Sequence, residues 1–348
     1  MICHLLDSLD DSLTAWLQER GAGAYRAKQV RQWLFARRAG DFQEMTDLAQ
    51  SLRGELAADF TLWTTNIVRH TQAEDGTEKL LLALADGGQI ECVLLRDEVR
   101  RTICISTQVG CGMGCVFCAS GLDGLARNLT TGEIIEQMLR LQRLLGPEER
   151  LSHIVVMGMG EPLANLDNLL PALEEASRED GLGISARRIT ISTVGLPKGM
   201  RRLADAGARY RLAVSLHAPN EQLRREIVPV GEKVSLADIL AEADHYFDLS
   251  GRQLTFEYVL LAGINDAPEH AHELARLLGR RTALVNVIPF NPVSGLPYRT
   301  PSSAAQQGFR RILEDHGLSV RFRHKKGDAI DAACGQLRRR TAQQIVSP

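Results

Sequence analysis

Apolar residues recur at helical spacing through the first part of the chain. Leu13, Trp16 and Leu17 share one face, Val30, Trp33 and Leu34 another, and Gly21 and Gly40 punctuate the pattern. Helices are therefore expected up to about residue 70. From residue 78 the period shortens to two. Segments 79–85, 89–95 and 101–106 read as short strands, with Asp86-Gly87-Gly88 as a hairpin turn. Beyond them, apolar runs at 153–157, 188–192, 211–215, 254–260 and 283–288 alternate with helical stretches near 131–145, 166–179, 235–249 and 268–279. Thr130 and Glu133 have the spacing of a capping box that opens the first of these helices. Strand–helix alternation predicts an α/β fold, a parallel sheet with crossover helices. A full eight-unit barrel takes about 250 residues, more than the alternating part offers, so a partial, six-unit (β/α) barrel fits better. In such folds function sits on loops at the C-terminal strand ends.

This pattern divides the chain into a helical accessory domain at 1–75, a connecting β-hairpin at 76–100, a barrel at 101–325 and a C-terminal segment at 326–348, with 338–348 expected to fray. A chain of 348 residues is long enough for one large core and a smaller unit. Hydrophobic residues at 44% and charged residues at 24% are ordinary for a soluble globular protein. No apolar run reaches bilayer length and the N-terminus lacks a signal pattern, so a cytoplasmic, non-membrane protein is expected. Seven cysteines, an odd number with three crowded together, fit a reducing compartment and chemistry better than a disulfide framework. A net charge of −2 does not advertise a polyanionic partner. Locally, however, Arg26, Lys28, Arg31, Arg37 and Arg38 occur with no acidic residue between them. That run reads either as a solvated helix face or as a phosphate-contacting patch.

The chemistry concentrates between Cys104 and Cys118. Cys111, Cys115 and Cys118 have the spacing C-x3-C-x2-C, and three thiolates so close converge on one point if the loop closes around it. Gly110, Gly112 and Gly114 let that loop turn tightly. A cubane iron–sulfur cluster normally takes four cysteines, so three leave one iron open. The same spacing suits half of a zinc site completed by Cys104 or a histidine, or three buried thiols. With Phe117 just before the last cysteine, the C-x3-C-x-aromatic-C form resembles the radical S-adenosylmethionine (SAM) superfamily, which implies the cluster.

Other polar groups punctuate the barrel strands where they end. Gly158-Met159-Gly160-Glu161-Pro162 reads as a glycine-rich turn entering a helix, and beside the cysteine loop it resembles the Gly-Glu-Pro element that engages the amino group of SAM. Ser192, Ser215-Leu216-His217 and Asn291 end the third, fourth and sixth barrel strands. Each alone is an ordinary polar strand end, and together they mark one barrel mouth. Cys334 lies far from the cluster loop among small residues, with Arg321, Arg323, Lys325 and Lys326 before it and Arg338, Arg339 and Arg340 after it. Such surroundings favour thiolate and attract a polyanion.

These motifs, in order from Tyr25-Arg26-Ala27-Lys28-Gln29 through Ala332-Ala333-Cys334-Gly335-Gln336-Leu337, resemble the RlmN/Cfr family, which methylates adenosine in 23S ribosomal RNA and, in some members, transfer RNA. The resemblance implies that Cys111, Cys115 and Cys118 hold a [4Fe–4S] cluster. It implies SAM contacts at Gly160, Glu161, Ser192, Ser215, Leu216, His217 and Asn291, and Glu91 as a proton acceptor. Cys334 then takes a methyl group from one SAM, loses a hydrogen atom from it to radical chemistry supplied by a second, and bonds through carbon to the adenine. Cys104 attacks the Cys334 sulfur, and a disulfide forms as the product leaves. Asp331 and the general pattern look more like the carbon-2 than the carbon-8 branch. One departure stands at Ala329, where the family usually has Asp. A radical SAM enzyme with another substrate and a zinc-stabilised RNA-binding protein are the competing readings. A flavodoxin-like electron donor and a monomeric state complete the expectation.

Overall fold

The computed structural model describes residues 3–9, 11–207, 209–323 and 327–337. Lys325, Lys326, Arg338, Arg339, Arg340 and the tail expected to fray lie outside them. A ten-stranded sheet orders the chain, its strands lying side by side in sequence order. Strands β1 (Asn66–Gln72), β2 (Glu78–Ala83) and β3 (Gln89–Arg96) form an antiparallel meander. β3 pairs antiparallel with β4 (Arg101–Cys104), so the meander continues the barrel sheet. From there β5 (His153–Val156), β6 (Ile189–Thr193), β7 (Arg211–Ser215), β8 (Leu254–Leu260), β9 (Ala283–Pro289) and β10 (Ser319–Phe322) are all parallel.

Parallel strands covered by helices are buried on both faces and read as apolar runs, as Ile154, Ile191, Val214, Phe256 and Val285 illustrate. The crossovers are α4 (Thr131–Gln142), α5 (Leu166–Ser177), α6 (Pro197–Asp205), α7 (Glu221–Ile227), α8 (Leu236–Ser250), α9 (Pro268–Leu278) and α10 (Ser303–Asp315). The capping box of α4 is complete, Thr130 accepting from the Glu133 amide and Glu133 from the Thr130 amide. Before the sheet lie α1 (Asp11–Glu19), α2 (Tyr25–Arg31) and α3 (Gln50–Asp59). The six-unit (β/α) partial barrel is present.

Two strands of the ten-stranded sheet escaped the sequence pattern. β1 contradicts the helical reading of residues up to about 70: it is an edge strand exposed along almost its whole length, so no burial imposes a period on it. β10 is a seventh parallel strand of four residues, too short to show alternation.

The basic run near α2 also changes meaning. Arg31 is only 4% exposed, with Nη2 2.5 Å from Glu175 and Nε 3.0 Å from Asp180. Arg38 donates to the carbonyls of Leu145 and Gly146 at 2.9 and 3.0 Å. Arg37 pairs with Asp47 at 3.4 Å, and Arg26 donates to the Asp47 carbonyl at 3.0 Å. The partners of Arg31 and Arg38 lie in the last turn of α5 and just beyond the C-terminal ends of α5 and α4, at the N-terminal ends of the parallel strands, opposite the barrel mouth. Arg31 and Arg38 seam the helical segment to the barrel. Of the five, Lys28 is an exposed cation outside these seams.

Candidate active site

After β4 the chain makes a strap: Gln108–Gly110 pairs antiparallel with Leu125–Asn128, closing the intervening loop at its base. Gly110 has φ +78, and a Cβ there would fall 2.0 Å from the Gly124 carbonyl oxygen. Only glycine permits that closure. Inside the loop, Cys118 N donates to Cys115 O at 3.1 Å, and Val116 N to Ile227 O at 3.1 Å. Cys111, Cys115 and Cys118 thereby line one cavity at the C-terminal strand ends, together with Gly160, Glu161, Ser192, Ser215, His217, Asn291 and Cys334.

The thiols do not meet as the spacing alone suggested. Among the described residues no three His, Cys, Asp or Glu side chains are gathered around a single ion-sized point. Burial pushes Cys111 up to about 11 and raises Cys115 and Cys118 as well; the Cys118 charge adds to the shift at Cys111 and Cys115, and that of Cys334 adds to it at Cys118. Ionised sulfur here therefore requires a cationic centre. Three soft donors from one loop fit a cluster that spreads its contacts over several irons.

Around that wall the other groups are fixed from the backbone. Glu161 is buried; its carboxylate accepts from Leu163 N at 3.0 Å and from Val194 N at 2.9 Å. Burial raises its pKa while these amides oppose the shift. It caps the turn Pro162–Asn165 and lines the cavity at once. Gly160 has φ +102, and a Cβ would meet the Gln108 amide at 2.9 Å. The glycine thus seats Glu161 against the strap rather than cradling a phosphate. Ser192 and Ser215 face each other with hydroxyl oxygens 3.5 Å apart. His217 Nδ1 accepts from Val259 N at 3.0 Å, which places the ring proton on Nε2. Burial lowers its pKa to about 3, so the ring is neutral. Its edge packs on Phe117, centroids 4.9 Å apart.

On the opposite flank Arg323 Nη1 lies 3.1 Å from Cys334 Sγ, and the nearby sulfur charge raises the guanidinium's pKa. Asn291 Nδ2 donates to the Cys334 carbonyl at 3.1 Å, and Ala119 N to the Gly335 carbonyl at 2.8 Å. The Cys334 loop is thus stitched to both the β9 end and the cysteine strap. Cys104 ends β4 near Cys334 and Arg323. Burial, reinforced by the Cys334 charge and opposed by Arg323, pushes its thiol up to about 12. All seven cysteines are free of disulfides.

Three expected site residues do not line the cavity, Cys104 among them. Leu216 is buried and contributes its carbonyl, which accepts from Arg224 at 2.6 Å. Glu91 is buried on β3 with an oxygen 3.0 Å from Lys79 Nζ. Three residues were missed. Glu257 lines the cavity and accepts from Asn286 at 2.6 Å. Arg224, buried, also donates to Val194 O at 2.6 Å and Ser215 O at 3.0 Å, tying the β6 and β7 ends together. Lys79 is the third. A signal existed for Glu257 and Lys79, each a charge inside an otherwise apolar strand. Ala329 is exposed, so the acid usual in the family has no interior partner to lose here.

The comparisons agree with this geometry. Residues 105–277 match the model of the radical SAM superfamily, and residues 3–62 that of the ribosomal RNA large subunit methyltransferase N-terminal domain. A probable dual-specificity RNA methyltransferase RlmN of Rhodopirellula baltica is 62% identical over 97% of this chain and 91% of its own length. The corresponding protein of Symbiobacterium thermophilum is 46% identical over 94% and 89%. A crystal structure of a radical SAM methyltransferase from Sphaerobacter thermophilus superposes with TM-score 0.93 at 41% identity, covering 96% of this chain and 99% of that one. The chain belongs to the RlmN family of dual-specificity RNA methyltransferases within the radical SAM superfamily.

Proposed function

We propose that this enzyme methylates carbon 2 of an adenosine in 23S ribosomal RNA, in the peptidyl transferase region, and of an adenosine in the anticodon region of some transfer RNAs. Cys334 carries the methyl group. The observation behind this reading is the single cavity lined by the three loop thiols, Glu161 and Cys334, with Arg323 on the carrier sulfur. Cys111, Cys115 and Cys118 would hold the [4Fe–4S] cluster, and Glu161, Ser192, Ser215, His217 and Asn291 would surround SAM, two per turnover. When bound, that pair supplies the methyl group and the one-electron chemistry that an unreactive ring carbon demands.

The protein's own residues do the rest. Arg323 favours charge on the Cys334 sulfur through a charge-assisted contact. The neutral His217 ring offers a donor without adding charge. Glu91 takes the ring proton, and Cys104 attacks the Cys334 sulfur to release the product. The adenine has to be unstacked to enter the barrel mouth. Residues 1–75 serve as an RNA-contacting accessory unit, through exposed cations such as Lys28 rather than through Arg31 or Arg38. Electrons come from a flavodoxin-type donor, and the enzyme works as a cytoplasmic monomer. Among the described residues no helix is long and apolar enough to cross a membrane.

Peptide mass spectrometry across Cys334, after anaerobic reconstitution and incubation with methyl-labelled SAM, tests the reading. A labelled methyl on Cys334 is expected. An unmodified Cys334 beside an intact cluster refutes it, and label at carbon 8 of the RNA product corrects the regiochemistry.

A further inference from the structure

Lys79 is a charged residue at the start of an apolar strand, and it is 4% exposed. Its ammonium lies 3.0 Å from Glu91 Oε1 and donates to the Asp331 carbonyl at 2.9 Å. Three separate parts of the chain meet on this one group: β2, β3 and the loop three residues before Cys334. The loop is held on the same side by Asp75, which accepts from Gly327 N at 2.9 Å. Asp331 has φ +51, a conformation disfavoured for a residue with a Cβ, and it presents its carbonyl to Lys79. Glu91 is 1% exposed, and the Lys79 contact fixes the orientation of its carboxylate. An ammonium has three donors to satisfy, and the docked loop supplies an acceptor for one of them.

We propose that Lys79 is a positioning residue that holds the Glu91 carboxylate in place while the Cys334 loop is docked, so that the base is oriented only when the methyl carrier is in place. The inference rests on the reading of Glu91 as proton acceptor. In that step the proton leaves the ring carbon for the Glu91 carboxylate, and the electron pair of the C–H bond stays with the adduct. Lys79 lies outside the cavity and takes no part in methylating Cys334, so its loss separates the early half of the reaction from the late half.

The test uses the full chain, reconstituted anaerobically, with methyl-labelled SAM and protein-free 23S ribosomal RNA. Lys79→Met should retain cluster absorbance and methyl label on Cys334, yet release methylated RNA about tenfold more slowly, as expected for loss of a positioned base. A covalent protein–RNA adduct should accumulate on denaturing gels. Lys79→Arg, which keeps the cation, should restore most of the release. Release at the parental rate by Lys79→Met overturns the inference. So does loss of Cys334 methylation that Lys79→Arg fails to restore, since that marks loop packing alone. Glu91→Gln distinguishes the levels: normal release by that variant removes Glu91 as base, whereas adduct accumulation there but not in Lys79→Met removes only the role of Lys79.

Discussion

At the scale of single residues, the two outlying cysteines differ in the groups that surround them. Cys334 has Arg323 at 3.1 Å, whereas burial and the neighbouring Cys334 charge hold Cys104 up at about 12. While Cys334 is a thiolate, Cys104 is therefore suppressed as a competing nucleophile. Once Cys334 becomes a thioether it carries no charge, and the repulsion that opposed Cys104 ionisation is gone while Arg323 still favours it. The release step still needs Cys104 as thiolate, and below its pKa the thiolate fraction rises about tenfold per pH unit. Single-turnover release from preformed adduct should accordingly climb between pH 7 and pH 9. A pH-independent release rate would remove Cys104 ionisation from the rate-determining path.

At the scale of elements, legibility followed burial. The barrel strands were legible because covered strands must be apolar, and the capping box of α4 was legible because its two partners are local. β1 was not, since an edge strand owes its place to ladder bonds with β2 and to no pattern of its own. The cysteine loop could be read from spacing, and Gly160 from its motif. Glu257, Arg224 and Lys79 owe their partners to residues brought near only by folding. The basic run at α2 shows the opposite error, where a cluster that looks ready for phosphate serves packing. Arg31 sits between Glu175 and Asp180 with little water to replace it. Arg31→Met should destabilise the protein by about 2 kcal/mol, discounted from a fully buried pair because both acids keep some solvent. Differential scanning calorimetry and amide exchange across α2 and α5 would measure it. RNA affinity of the folded variant should keep its salt dependence, in contrast to Lys28→Glu.

At the scale of the whole molecule, the site is closed by two segments 252 residues apart in the chain. The meander contributes Asp75, Thr77 and Lys79, and the C-terminal loop lays Gly327 against them before delivering Cys334 to the cavity. Gly327 has φ +67, and a Cβ there would meet Thr77 Cγ2 at 2.8 Å and Ala332 Cβ at 2.9 Å. Neither can yield easily, since Thr77 belongs to the β1–β2 turn and Ala332 to the loop itself. Gly327→Ala should therefore lift the loop and loosen its Ala119–Gly335 bond, while the cluster strap stays closed by its own ladder with Leu125–Asn128. The variant is expected to keep cluster absorbance and reductive cleavage of SAM, while Cys334 loses its methyl label and reacts faster with iodoacetamide. The alkylation rate decides the cause: slow alkylation with lost methylation would mean that the loop stays docked and that the contact at Gly327 does not control delivery of the carrier.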